Sequence, residues 1–144
     1  MTTRAAGDYD CDMPIEEADS ARQLELLGAR VRRRRDGSLH TVDFSAAPQA
    51  ATDELVTRVA AAPRLSILLL PQAAITDAAA PSFARLAELT ELDLRRTQIT
   101  DAGLRRLKSL TKLKILQLTG AAVSREGVKS LRQSLLNCRI VFLD

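Results

Sequence analysis

The sequence predicts an α/β fold: a right-handed repeating solenoid with a concave parallel sheet of about five strands, convex helices, and an N-terminal cap made of a helix and a hairpin. Three observations predict it. First, the apolar set Leu92, Leu94, Ile99, Leu104, Leu107 and Leu110 recurs 24 positions earlier as Leu68, Leu70, Ile75, Ala80, Phe83 and Leu86. The same step forward gives Leu116, Leu118, Val123, Val128 and Leu131, and only Ser134 breaks the pattern. A fixed period in the twenties marks stacked units, each too small to bury its own apolar face. Second, each strand-like stretch is followed by a helix-start signal: Thr52-Asp53, Thr76-Asp77, Thr100-Asp101 and Ser124-Arg125. Third, 46% of residues are hydrophobic but only 3% aromatic, so the core is built from layers of Leu, Ile, Val and Ala rather than aromatic anchors.

In chain order, residues 1–14 carry acid and few large apolar groups, and are expected to form a disordered acidic tail because they cannot offset the entropy of ordering. Residues 15–44 are expected to be the cap. Within it, Glu16 to Leu27 reads as an amphipathic helix, with Ala18, Ala21, Leu24 and Leu27 or Leu26 on one face and Gly28 as the stop. Ala29 to Arg35 and Leu39 to Phe44 flank Asp36-Gly37, a strong hairpin signal. A non-repeat element at this end keeps the first apolar layer out of water.

The repeats span 39–144, with strands at Thr41 to Phe44, Ile67 to Leu70, Glu91 to Leu94, Ile115 to Leu118 and Arg139 to Phe142. The last strand, 139–143, acts as a C-terminal cap. The first step is two residues longer than the rest, which the loop from Ser45 to Ala50 is expected to absorb. Thr or Ser before each helix can accept a bond from an orphan N–H, and an Asp after it sits at the positive end of the helix. Pro81 disfavours helix at Ala80, so the second helix is expected to begin near Pro81 and run to about Ala87. Gly103 and Gly127 share one repeat position in the first helical turn, where glycine is costly, so close packing against the neighbouring coil is the expected reason. Strands joined by helical crossovers run parallel, with right-handed crossovers.

The run L-T-E-L-D-L-R-R-T-Q-I-T-D-A-G-L-R-R-L-K-S-L-T-K-L-K-I-L-Q-L resembles the short leucine-rich repeat proteins found in large numbers in bacteria. It is also similar to the I-T-D-x-G-L repeats of F-box leucine-rich proteins. The resemblance covers Leu39 to Asp144 and implies a horseshoe like that of ribonuclease inhibitor, whose concave parallel sheet binds proteins without catalysis of its own. Ala73 and Ala121 depart from the family by replacing the Thr97-type ladder residue. No F-box sequence stands before the repeats, which argues against a ubiquitin-ligase adaptor role.

A catalytic reading finds little support. His40 is the only histidine, and it falls where a capping strand begins. Cys138 reads as a small end-layer residue rather than a reactive thiol, which would need an open electropositive setting. Neither it nor Cys11 has a His or second Cys at metal-ligand spacing, and no phosphate loop or nucleophile elbow occurs. No cofactor or metal is expected. The chain shows no apolar run long enough for a membrane span and no secretory signal, and with two distant cysteines a cytoplasmic setting is expected.

The expected partner is a protein. Strand alternation turns Leu68, Leu70, Leu92, Leu94, Leu116 and Leu118 inward. Thr41, Asp43, Ile67, Leu69, Glu91, Asp93, Ile115, Gln117, Arg139 and Val141 are thereby left on the concave side as the expected binding surface. Five strands give a strip on the order of 20 Å wide, so the concave face alone is expected to offer less than the roughly 800 Å² per partner of a stable interface, and adjoining loops are expected to contribute. The basic run Arg30 to Arg35 offers the rival reading, phosphate contact with a nucleic acid. Charge on an edge strand also blocks edge-to-edge pairing, and alternation splits Arg32 and Arg34 from Arg33 and Arg35. With no aromatic residue interleaved, nucleic acid is the weaker alternative, beside a structural subunit docking on a larger assembly.

Overall fold

A computed structural model of the chain describes residues 15–47, 51–60, 62 and 64–143. The expectation for residues 1–14 lies outside them, as does the end of the Ser45 to Ala50 loop. Helix α1 (Ile15–Leu26) leads into the strands β1 (Arg30–Arg33) and β2 (Leu39–Asp43). Four units follow: α2 (Asp53–Val59) to β3 (Ile67–Leu69), α3 (Ala80–Ala84) to β4 (Glu91–Asp93), α4 (Asp101–Arg106) to β5 (Ile115–Gln117), and α5 (Arg125–Ser134) to β6 (Arg139–Val141). One sheet holds all six strands in chain order. β1 pairs antiparallel with β2, and every later pair is parallel.

The repeat period becomes a stack of buried layers. Val42, Leu68, Leu92, Leu116 and Ile140 are in register across the five parallel strands, and all are buried. Phe44, Leu70, Leu94 and Leu118 make the next layer, and Val59, Phe83, Leu107 and Leu131 carry it onto the helices. Ser134 is exposed, and the neighbouring Leu135 is buried at the helix end. Each such Leu contributes about 1.5–3 kcal/mol by leaving water, and stacking lets neighbouring units share that gain.

Several local expectations change in the structure. Helix α1 buries Ala21 and Leu24 but leaves Leu26 exposed, as is Leu27 just past its end. The helix stops there because Gly28, at φ 102°, closes it: its N–H donates to the Glu25 carbonyl at 3.0 Å and the Ala29 N–H to the Leu24 carbonyl at 3.0 Å, the pattern of a left-handed glycine stop. The hairpin around Asp36-Gly37 is present. Arg34 N–H donates to the Ser38 carbonyl, only Gly37 has positive φ, and the loop spans three residues. A bulge beside Arg33 lets both Leu39 and Val42, three apart, reach the core. In the second unit a 3-10 turn at Asp77–Ala79 precedes α3, which starts at Ala80 and ends at Ala84, earlier at both ends than Pro81 to Ala87. Pro81 sits in the first turn, where its missing N–H costs nothing.

The Thr-Asp pairs do more than start helices. Asp53 accepts from Thr76 N–H (2.8 Å) and Oγ1 (2.6 Å), Asp77 from the same two groups of Thr100, and Asp101 from Ser124 N–H (2.9 Å) and Oγ (2.5 Å). Each aspartate thus fastens the start of the next unit. Thr52, Thr76 and Ser124 also accept a helix N–H, whereas Thr100 makes no such cap. The Ser124 hydroxyl and N–H hold the Asp101 carboxyl below its usual pKa. Gly103 and Gly127 lie against this ladder: a Cβ on Gly103 would stand 2.5 Å from Asp77 Oδ1, and one on Gly127 would overlap Asp101 Oδ1. Glycine is required by the carboxylate of the preceding unit.

Candidate functional site

Register across the sheet arranges the ten expected surface residues in two straight rows on the face opposite the core. One row runs Thr41, Ile67, Glu91, Ile115, Arg139, and the other Asp43, Leu69, Asp93, Gln117, Val141. β1 extends them with Arg32 beside Thr41 and Arg30 beside Asp43. Most of these side chains are half-buried by their row neighbours. Ile115 (37% accessible) and Arg139 are exposed, and Asp93 is buried at 3%.

Asp93 departs from the simple alternation. Its Oδ1 accepts from the Arg95 N–H at 3.0 Å, and its two oxygens take the Arg95 guanidinium at 2.8–3.1 Å. A fork-to-fork pair of this kind has fixed geometry. The Asp93 hydrogen bonds raise the already high pKa of Arg95. Of the two β4 carboxylates expected on this face, Asp93 is therefore taken up by Arg95. Asp43 likewise turns to its own loop, accepting from Ser45 N–H at 2.8 Å.

The strand ends hold residues that alternation did not single out. Ser45, Pro71, Gln72, Arg95, Arg96 and Thr119 line an open cavity of ≈ 440 Å³ beside the second row. Gln72 and Arg96 have φ of 61° and 57°, and Gly120, at the same repeat position, has 80°. The backbone locks this path: Gln72 N–H donates to the Arg95 carbonyl at 2.7 Å and Arg96 N–H to the Thr119 carbonyl at 3.0 Å. The signal in the sequence was Gly120, since projecting a left-handed glycine back by one and two periods lands on Arg96 and Gln72.

The basic run does not present one face. Arg34 turns inward and donates to the Arg64 carbonyl (2.8 Å) and Ser66 Oγ (2.6 Å), Arg33 lies 3.4 Å from Glu25, and Arg64 pairs with Asp36. Arg32 pairs with Thr41 of the surface row and Arg33 with buried Leu39, while Arg34 and Arg35 lie past the end of the strand. His40 is half-buried, its Nδ1 2.8 Å from Thr41 Oγ1. Cys138 packs against the core, and burial pushes its thiol up to about 11, away from thiolate chemistry at neutral pH. Among the described residues no three His, Cys, Asp or Glu side chains come together to hold a metal ion, and no helix is long and apolar enough to cross a membrane.

Comparison with known proteins agrees with this geometry. Residues 88–108 match the model of a leucine-rich repeat. No curated protein sequence matches the chain. Its structure is similar to the crystal structure of the leucine-rich repeat ectodomain of the receptor kinase SOBIR1 from Arabidopsis thaliana. The TM-score is 0.53 at 14% identity, over 92% of this chain and 93% of that one. By sequence over 88–108 and by fold over most of its length, the chain is built as a leucine-rich repeat structure.

Proposed function

We propose that the chain is a non-catalytic protein-interaction module that takes its partner on the concave face of the sheet and the adjoining strand-end loops. The observation that supports this is the pair of straight rows, where Ile67, Leu69 and Ile115 keep apolar groups at the surface between polar ones. Clustered apolar groups rimmed by polar residues mark contact surfaces. Leucine-rich repeat domains generally mediate protein interaction, and the cavity lined by Arg95 and Arg96 supplies the loop contribution that a five-strand strip requires. In this reading the helix and hairpin at the start cap the right-handed stack.

The nucleic-acid reading loses its main support, because Arg33 and Arg34 are engaged within the chain. The test is site-specific photo-crosslinking. A benzoylphenylalanine at Ile115 should capture the same protein as one at Arg139, while one at Lys129, exposed on helix α5, should not. Capture from Lys129 and not from Ile115 would move the partner to the helical side and overturn the proposal.

A further inference from the structure

The strand-end cavity combines four features. Arg95 is held rigid by Asp93, a carboxylate that is itself 3% accessible, so one edge of the guanidinium is fixed while Nη1 has no bond among the described residues. Arg96, exposed beside it, has no hydrogen bond or ion pair from its guanidinium among the described residues. Gln72, Ser45 and Thr119 add amide and hydroxyl donors around the same ≈ 440 Å³ space. Finally, Gln72 and Arg96 keep their side chains at left-handed backbone positions where Gly120 shows that glycine fits. Non-glycine residues held in that region at a surface cavity point to a use for their side chains.

We propose that this cavity is a specificity pocket for one carboxylate, carried by an Asp or Glu side chain of the partner protein and received between Arg95 and Arg96. The proposal rests on the protein-interaction reading and deepens it by naming the chemistry of the partner. Charge selects the ligand class. Two guanidinium groups less the Asp93 carboxylate leave one net positive charge, which matches a carboxylate and undercompensates a phosphate dianion. The Asp93 pair leaves the outer edge of Arg95, Nη1 with the second N–H of Nη2, for planar, two-oxygen recognition. Leu69 lies in register with Asp93 on the adjoining strand, in the same row, so an apolar residue close to the acidic one in the partner completes the contact.

The test titrates the ¹⁵N-labelled full chain at pH 6 with acetyl-Leu-Asp-Leu-amide, its Asn counterpart and its phosphoserine counterpart, following the arginine Nε–H and Gln72 side-chain amide signals. The Asp peptide should shift the Arg96 and Gln72 signals saturably, with the Asn peptide at least tenfold weaker. Arg96→Gly should abolish the tenfold preference while the melting temperature rises, which separates loss of the pocket from loss of the fold. Equal binding of Asp and Asn peptides, unmoved Arg96 signals, or tighter phosphoserine binding would each overturn the proposal. A protein partner that depends on Ile67 and Leu69 but not on Arg96 would overturn the pocket and leave the interaction reading intact. A partner that depends on none of the three would remove the interaction reading itself.

Discussion

Replacing Gly103 with alanine tests the inter-unit ladder, because two effects of opposite sign meet at this residue. Gly103 lies in helix α4, where exchange for alanine should stabilise by about 1 kcal/mol through backbone entropy. The new Cβ, however, would stand 2.5 Å from Asp77 Oδ1, 3.2 Å from Ile99 Cγ2 and 3.3 Å from Asp77 Cγ. No real Cβ tolerates the first distance, so the carboxylate must move and give up the Thr100 N–H and hydroxyl. Hydrogen bonds to a charged group are each worth about 1.5–3 kcal/mol, with the lower end fitting a half-buried carboxylate. The ladder wins. Gly103→Ala should lose about 1–3 kcal/mol net, a fall of about 3–10 °C in melting temperature for a chain of this size. Thermal and urea unfolding of Gly103→Ala, Asp77→Ala and the double variant form the assay. With Asp77 already shortened the alanine should cost nothing, so a coupling of at least about 1 kcal/mol is expected. A stabilised Gly103→Ala variant, or a coupling near zero, would refute the reasoning.

Gln72→Gly relieves a left-handed non-glycine residue without touching the core, so it should stabilise by about 0.5–1 kcal/mol after the entropy of glycine is set against the strain. A lower melting temperature would show that the Gln72 side chain is held by contacts worth more than that strain. Asp36 is held down at about 2, first by the Ser38 hydroxyl, then by the Ser38 N–H, and after burial's opposing effect by Arg64. A carboxyl depressed by folding contributes stability that is present above its unfolded value of 3.8 and lost as pH falls through about 2. Carboxyl NMR titration should therefore find its midpoint near 2, and Asp36→Asn should flatten the loss of melting temperature between pH 4 and pH 2. A midpoint near 4 would contradict the turn geometry.

The layered core and the positions of the parallel strands were legible because burial follows the chain period: Leu68, Leu92 and Leu116 are 24 apart and occupy identical surroundings. The reason for Gly103 and Gly127 was legible in outline, as close approach of a neighbouring coil, though not the atom responsible. What failed depends on partners that no periodicity encodes. Asp93 follows alternation in its backbone, but Arg95, two residues on, draws its carboxylate into a buried pair. Leu26, about 200° round the helix from buried Leu24, faces away from the packed side, and Leu27 falls past the helix end that Gly28 closes. Of the candidate site, the two rows followed directly from strand alternation. The strand-end cavity did not, since Gln72 and Arg96 adopt a conformation their residue types disfavour, and only Gly120 betrays it.

The most direct test of the interaction surface compares two adjacent kinds of residue on β3. Leu68 is fully buried, so Leu68→Ala should cost about 2–5 kcal/mol. Ile67 and Leu69 are half-buried on the opposite face, so Ile67→Thr with Leu69→Thr should cost no more than about 1 kcal/mol. Binding of the protein crosslinked at Ile115 should fall at least tenfold in the Ile67→Thr, Leu69→Thr variant with its fold intact. Unchanged binding, or unfolding as severe as that of Leu68→Ala, would contradict the assignment of this face.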